Sequence, residues 1–208
     1  MLSAAMKNNF NLIAPLYDAL AKLVFGNKLK QAQCHFLPLI PKDSNVLILG
    51  GGTGWILDEI FKTGFRGSVT YVEASAEMIK RTEKRLQPGW KVALICGDEK
   101  AIPDEFYDVL ITNFFLDVFS ADHLNKVMNQ LSEQLSPQGL WFCTDFQHTN
   151  RLKHKLIIWS MLLFFRFSAQ LESKVLLDFQ SYFRALPFDQ IQHKEFSKGL
   201  IFSDVYQK

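Results

Sequence analysis

The chain has 208 residues, which at about 100–200 residues per domain reads as one domain, or one domain with an elaboration. Apolar residues make up 48% and charged residues 21%, which excludes wholesale disorder and collagen-like repetition. With 23 Lys and Arg against 21 Asp and Glu, the net charge of +2 gives no electrostatic ground for a nucleic-acid binder.

The first predicted helix carries Leu16, Leu20, Leu23 and Val24 at helical spacing after Pro15, with Gly26 as its C-cap. A second helix is predicted over 28–37, stopped by Pro38 and Pro41. The pattern then changes. Residues 45–49 form a short continuous apolar run, as expected of a strand buried on both faces of a parallel sheet. Glycines follow at once, then a helix over 53–62 with Ile56, Leu57, Ile60 and Phe61 on one face. The alternation repeats with a strand at 68–72, a helix from the cap Ser75 to Leu86, and strands at 91–96 and 107–112. Ser120 opens a helix striped by Leu124, Val127, Met128, Leu131 and Leu135, and Pro137-Gln138-Gly139 turns into a strand at 140–144. Strands alternating with helices imply right-handed crossovers and a parallel sheet covered on both faces. The last third breaks this rhythm: two consecutive helices, 151–167 and 172–186, precede a hairpin of 188–196 and 200–206 around Ser197-Lys198-Gly199.

Cys34, Cys96 and Cys143 lie far apart with no CxxC, so neither a disulfide framework nor a structural metal site is expected, and reduced thiols suit the cytoplasm. No secretory leader is expected, because Lys7-Asn8-Asn9 interrupts the opening residues. The longest nearly uninterrupted apolar stretch is the ten residues 156–165, too short for a bilayer that takes about 20.

The sharpest motif is Val46-Leu47-Ile48-Leu49-Gly50-Gly51-Gly52-Thr53-Gly54, placed between a predicted strand and a predicted helix. Glycines there let the backbone turn tightly and approach a ligand, and the helix start offers N–H groups and a positive dipole end. A dinucleotide fingerprint would need a small residue where Trp55 stands, and no Gly-Lys-Ser/Thr follows, so an NAD loop is disfavoured and a P-loop excluded.

The spacing Gly50-x-Gly52-x-Gly54 resembles the nucleotide loop of the Rossmann-like class I S-adenosylmethionine-dependent methyltransferases, roughly Val-Leu-Asp-Leu-Gly-x-Gly-x-Gly. Ile48 departs from it, standing where the family usually has an acid that helps hold the methionine end. Later segments match in order: Tyr71-Val72-Glu73-Ala74-Ser75, Cys96-Gly97-Asp98-Glu99, Tyr107-Asp108 through Asn113-Phe114-Phe115, and loosely Leu135-Ser136-Pro137-Gln138-Gly139, with Gln138 in place of a glycine. Ala14-Pro15-Leu16-Tyr17-Asp18 is similar to the Ala-x-x-Tyr-Asp stretch of small-molecule members.

The resemblance implies a doubly wound α/β fold, with a mostly parallel seven-stranded sheet, an antiparallel C-terminal hairpin strand and a helical lid. It implies S-adenosylmethionine as cofactor, held by Tyr17, by Gly50, Gly51, Gly52 and Gly54, by Glu73 on the ribose, and by Ala74 and Met78 on the adenosine. Asp98 would take the adenine amino group and Glu99 offer its N–H, with Asn113 and Phe114 beside the transferable methyl. The prolines of an Asn-Pro-Pro-Tyr motif are absent, so Asn113 does not argue for nucleobase methylation. The chain then divides into a helical cap (1–40), a cofactor core (41–146), a lid (147–187) and a closing hairpin (188–208).

Asp145 and His148, after the fifth strand, are the candidate bases, each also able to serve as a loop cap. The run 156–165 is apolar all round. It reads either as a helix sandwiched against the sheet or as a lid lining an apolar acceptor pocket or meeting a partner or membrane surface. The leading function is methyl transfer to a small apolar or aromatic acceptor. A non-catalytic binding module, an RNA methyltransferase and an NAD oxidoreductase are the alternatives, in that order.

Overall fold

The computed structural model describes residues 25–168 and 176–208, with the backbone alone for 161–168. The predicted helix at 16–24 and Tyr17 lie outside the described residues. Seven strands form one sheet in the order β3-β2-β1-β4-β5-β7-β6. They are β1 (Asn45–Leu49), β2 (Ser68–Glu73), β3 (Lys91–Cys96), β4 (Tyr107–Asn113), β5 (Leu135–Phe146), β6 (Asp189–Phe196) and β7 (Ile201–Gln207). β1 to β5 run parallel, and β7 inserts antiparallel between β5 and β6. This is the mixed, doubly wound sheet with an antiparallel C-terminal hairpin that the resemblance implies.

Strand alternation divides the core between the two faces. Leu47, Leu49, Leu110 and Trp141 pack with Leu124, Val127, Met128 and Leu131 of one helix, Ala121–Gln134. Val46, Ile48, Val109, Ile111 and Phe142 pack on the other face with Ile56, Leu57 and Ile60 of Trp55–Lys62. In chain order the helices are α1 (Lys28–Cys34), α2 (Trp55–Lys62), α3 (Ala76–Glu83), α4 (Ala121–Gln134), α5 (Leu152–Ser168) and α6 (Phe179–Arg184). The edge strand β6 exposes Asp189, Gln190, Gln192, His193, Lys194 and Glu195, a polar row that discourages edge-to-edge pairing.

Several boundaries differ from the sequence reading for local reasons. α1 ends at Cys34, and a 3-10 turn over Leu37–Leu39 accommodates Pro38. α2 starts at Trp55 because Gly54 has a left-handed φ of 76°, which no α-helix accommodates. α3 stops at Glu83, short of Leu86. β5 begins at Leu135, before the Pro137-Gln138-Gly139 turn, and the ladder skips from Tyr107↔Leu135 to Val109↔Leu140. Of the helix predicted over 172–186, the described part is α6, preceded by non-helical 176–178. No helix among the described residues is long and apolar enough to cross a membrane. α5 half-buries Ile157 and Ile158 against the core but leaves Leu152, Leu156 and Trp159 at 81%, 65% and 60% exposure. Among its described side chains, α5 is therefore not sandwiched on all sides.

Candidate functional site

Strand order reverses at β1, which pairs with β2 on one side and β4 on the other. In an open α/β sheet the crevice beyond the carboxyl ends at this point is where ligands sit. The glycine loop, Glu73, Asp98, Asn113 and Asp145 all emerge at that end, from β1, β2, β3, β4 and β5.

Gly50, Gly52 and Gly54 have φ of 65°, 65° and 76°, a region that side-chain-bearing residues rarely occupy. Three of the four loop glycines are also required by packing. An added Cβ would lie 2.7 Å from the Phe115 ring at Gly50, 2.3 Å from the Tyr71 ring at Gly51 and 2.5 Å from Thr82 at Gly54. At Gly52 it would meet nothing within 4 Å. The loop is thus packed from behind and open at Gly52, a cradle that suits close approach of a ligand to the backbone.

Partners from β2, from α3 and from the turn after it hold the cradle in shape. The Tyr71 hydroxyl and Thr82 Oγ1 both donate to the Gly52 carbonyl, at 3.0 and 3.1 Å. Arg85 Nε donates to the Thr53 carbonyl at 2.8 Å while its Nη1 pairs with Asp58 at 2.9 Å. Sequence reasoning missed these three braces. Each sits where a polar side chain faces a loop carbonyl across two elements, which spacing alone does not reveal.

The Glu73 carboxylate also does more than the sequence suggests. Its Oε2 accepts the Gly52 N–H at 3.0 Å and its Oε1 the Ser75 N–H at 2.8 Å, so it ties the loop after β1 to the loop after β2. Burial pushes its pKa up, opposed by hydrogen bonds from the N–H groups of Ser75, Gly52 and Ala74. A carboxylate has about four lone-pair sites, so beside these three N–H groups acceptor capacity remains for one ribose hydroxyl. Ser75 caps α3 by accepting the Met78 N–H at 3.2 Å, which sets half-buried Ala74 and Met78 on the same rim.

Asp98, half-buried at the end of β3, accepts the Lys100 N–H at 3.2 Å and opens the 3-10 turn Glu99–Ala101. The Glu99 carboxylate is buried against His123 Nε2 at 3.1 Å, and the Glu99 carbonyl accepts from Gln130 Nε2 at 3.2 Å, so both face α4. Ile48, where the resemblance expects an acid, is buried in the apolar core.

At the end of β4, Asn113 and Phe114 are half-buried, and Phe114 has a φ of 51°, a strained conformation for an aromatic residue. Its N–H donates to the Thr144 carbonyl at 2.7 Å and its ring lies 4.9 Å from that of Phe146. Phe115 and Phe119 form a second pair at 5.1 Å. Asp145 is fully buried and Oδ1 accepts the Phe146 N–H at 2.8 Å. His148 is exposed and its Nε2 lies 2.7 Å from the Leu176 carbonyl, joining the segment after β5 to the approach to α6. Both candidate bases are thus engaged with backbone. No cluster of metal-ligating side chains occurs among the described residues.

Comparison with known proteins agrees with this geometry. Residues 46–139 match the methyltransferase domain family. The chain is 30% identical over 145 residues to a malonyl-[acyl-carrier protein] O-methyltransferase of Priestia megaterium, covering 68% of this chain and 51% of that protein. The same-named protein of Halalkalibacterium halodurans is 26% identical over 156 residues, with 68% and 54% covered. The chain therefore spans about half the length of the curated relatives it matches. Among solved structures, DhpI in complex with S-adenosylhomocysteine superposes with a TM-score of 0.72 at 16% identity, covering 99% of this chain and 96% of that one. The Burkholderia thailandensis 1,6-didemethyltoxoflavin-N1-methyltransferase gives 0.70 at 15%, covering 99% and 88%.

Proposed function

The chain belongs to the class I, Rossmann-like S-adenosylmethionine-dependent methyltransferases, and from that membership we propose that it transfers the cofactor's methyl group to a small apolar or aromatic acceptor. The observation that carries the cofactor reading is the cradle at Gly52, packed from behind, open in front and tied to Glu73. The donor set fits the group. The Gly50–Gly54 backbone would hold the methionine end, Glu73 the ribose, Ala74 and Met78 the adenosine faces, and Asp98 with the Glu99 N–H the adenine edge. Asn113 and Phe114 would border the methyl, with Tyr17 closing over it. In the same reading 1–40 is a cap, 41–146 the cofactor core, 147–187 a lid and 188–208 the closing hairpin.

When bound, the cofactor supplies a methyl already activated on a sulfonium. The protein's work is then to align acceptor, methyl and sulfur and to exclude water. The braces Tyr71, Thr82 and Arg85 fix the loop before binding, so little ordering cost falls on the ligand. Asp145 and His148, with backbone partners at 2.8 and 2.7 Å, hold the walls of the crevice in place. A base is required only if the acceptor is a hydroxyl, a thiol or an acidic carbon.

The apolar acceptor is supported by the ring pairs Phe114–Phe146 and Phe115–Phe119 at the ends of β4 and β5. A second reading, an acyl-carrier-linked carboxyl acceptor, is favoured by the curated relatives' names. An acceptor screen read by S-adenosylhomocysteine formation tests both. Turnover of simple phenols but not of malonyl-coenzyme A supports the apolar pocket, and the reverse supports the carboxyl acceptor. Formation of no S-adenosylhomocysteine with any acceptor supports a binding module. A polar acceptor turned over at full rate by both Asp145→Asn and His148→Ala contradicts the pocket and the base assignments together.

A further inference from the structure

The described part of α5 carries apolar side chains on two opposite sides. On the inner side His154 is buried, with Nδ1 2.8 Å from Thr149 Oγ1, and Ile157 and Ile158 are half-buried against the core. Leu152, Leu156 and Trp159, spaced four and three residues apart, form one row on the other side, and all three are exposed. Six large hydrophobic residues are exposed among the described residues. Leu39, Phe106 and Ile191 come from three separate parts of the chain, whereas the other three share this row, about 10 Å long. Single exposed apolar side chains need no explanation, but a contiguous set marks a contact surface.

Cations rim the row. Lys155 lies along one side of it and Lys153 along the other, with Arg151 at its N-terminal end, all exposed. Lys198, exposed in the turn between β6 and β7, adds a fourth: burial and the charges of Arg151 and Lys198 lower the pKa of His154. None of the four forms an ion pair among the described residues, and the first turn of α5 holds no acid. Glu195, at the end of β6, is engaged by Gln147 Nε2 at 2.9 Å. Like charges gathered without counter-ions repel one another in the free protein, and an anionic partner relieves that repulsion.

We propose that this face of α5 docks on an anionic lipid bilayer, with Leu152, Leu156 and Trp159 entering the headgroup boundary and the four cations meeting lipid phosphates. A row on the convex side of a single helix fits a planar, deformable surface. A Trp at the boundary and Lys stems that reach from an apolar row to the headgroups characterise a helix lying in the interface. The contact is peripheral, since no described helix is long and apolar enough to span the membrane. α5 begins six residues on from Phe146, where β5 ends at the crevice, so docking sets that end of the sheet beside the bilayer. An apolar acceptor of the kind proposed above concentrates there, but docking goes beyond that reading and holds for any acceptor.

Sedimentation of the whole chain with vesicles tests this, using phosphatidylcholine alone and a phosphatidylcholine–phosphatidylglycerol mixture. Expected is binding to the mixed vesicles about tenfold tighter than to the neutral ones, weakened by high salt. Lys153→Glu with Lys155→Glu should weaken it by about tenfold or more, and Leu156→Ser with Trp159→Ser should abolish it, each pair keeping the wild-type melting temperature. Lipid brominated near the headgroup boundary should quench the fluorescence of wild type more than that of Trp159→Phe, a readout that needs no destabilising change. No preference for the mixed vesicles, or equal quenching in Trp159→Phe, overturns the proposal. So does binding retained by Leu156→Ser with Trp159→Ser. A dimer in gel filtration that the same pair converts to monomer, without vesicle binding by wild type, overturns it in favour of a second copy of the chain.

Discussion

At the ends of β1 and β2 the loop amides and carbonyls find partners on Glu73, Tyr71, Thr82 and Arg85, whereas at the ends of β4 and β5 a buried carboxyl oxygen of Asp145 has none among the described residues. The first region takes its strain on glycines, at Gly50, Gly52 and Gly54; the second places Phe114 at a φ of 51°. The contrast separates two tasks. A cradle for a constant cofactor is built from residues whose conformation is natural to them. The wall facing a variable acceptor tolerates strain and unpaired polarity, where tight geometry is specific to one reaction.

The cradle breaks most severely at Gly54. Gly54→Ala combines a left-handed backbone with a Cβ 2.5 Å from Thr82, so strain and overpacking add to about 3 kcal/mol. The melting temperature should fall by roughly 6–12 °C at ~2–4 °C per kcal/mol. A thermal scan indistinguishable from wild type would mean that the loop is less tightly seated than described.

Glu73→Ala should leave the fold standing and weaken cofactor binding by about 2–4 kcal/mol, roughly 30- to 1000-fold, through loss of charge-assisted hydrogen bonds. Because Glu73 also receives the Gly52 N–H, part of this loss comes from a loosened loop. Glu73→Gln keeps an acceptor for one N–H and should recover part of the affinity in calorimetry. Equal affinities of the Ala variant and wild type would make Glu73 a structural tie only.

In the acceptor wall, Asp117 contributes a pH dependence of stability. Its folded-state pKa is raised to about 6 from 3.8, so the folded state binds the extra proton. The stabilisation is present below pH 3.8 and is lost as pH rises through about 6. The loss is at most about 3 kcal/mol, at ~1.36 kcal/mol per unit. Asp117→Asn should therefore melt higher than wild type above pH 6 and show a flatter profile between pH 4 and 6. Parallel profiles for the two proteins would show that the Asp117 carboxyl is not desolvated in the fold.

The smallest effect lies outside both regions. Gln138 adopts a φ of 64° in the turn inside β5, where the related motif has glycine. Gln138→Gly removes a left-handed cost of ~1–2 kcal/mol but adds unfolded-state entropy of ~0.5–1 kcal/mol. A gain of about 0.5 kcal/mol, or 1–2 °C, should remain in a thermal scan.

What could be read from sequence follows the same division. The alternation of strands and helices that makes β1 to β5 parallel was legible because buried strands and amphipathic helices such as Ala121–Gln134 carry distinct periods. The cradle was legible because glycines between a strand and a helix have few other uses. The braces Tyr71, Thr82 and Arg85 were not, since their partners are backbone carbonyls set by folding. The burial of Asp145 at the end of β5 was hidden for the same reason, since its neighbours β4 and β7 are set by folding. Likewise α2 starts at Trp55 rather than Thr53 because the loop, not helix propensity, sets φ at Gly54.

The most direct test of the central claim, that the crevice at Gly52 and Glu73 holds S-adenosylmethionine, is a thermal scan with S-adenosylhomocysteine and with NAD. At 100 times its Kd a ligand adds ~2.7 kcal/mol, which predicts a shift of roughly 5–10 °C with S-adenosylhomocysteine and none with NAD. A shift with NAD and none with S-adenosylhomocysteine would contradict it.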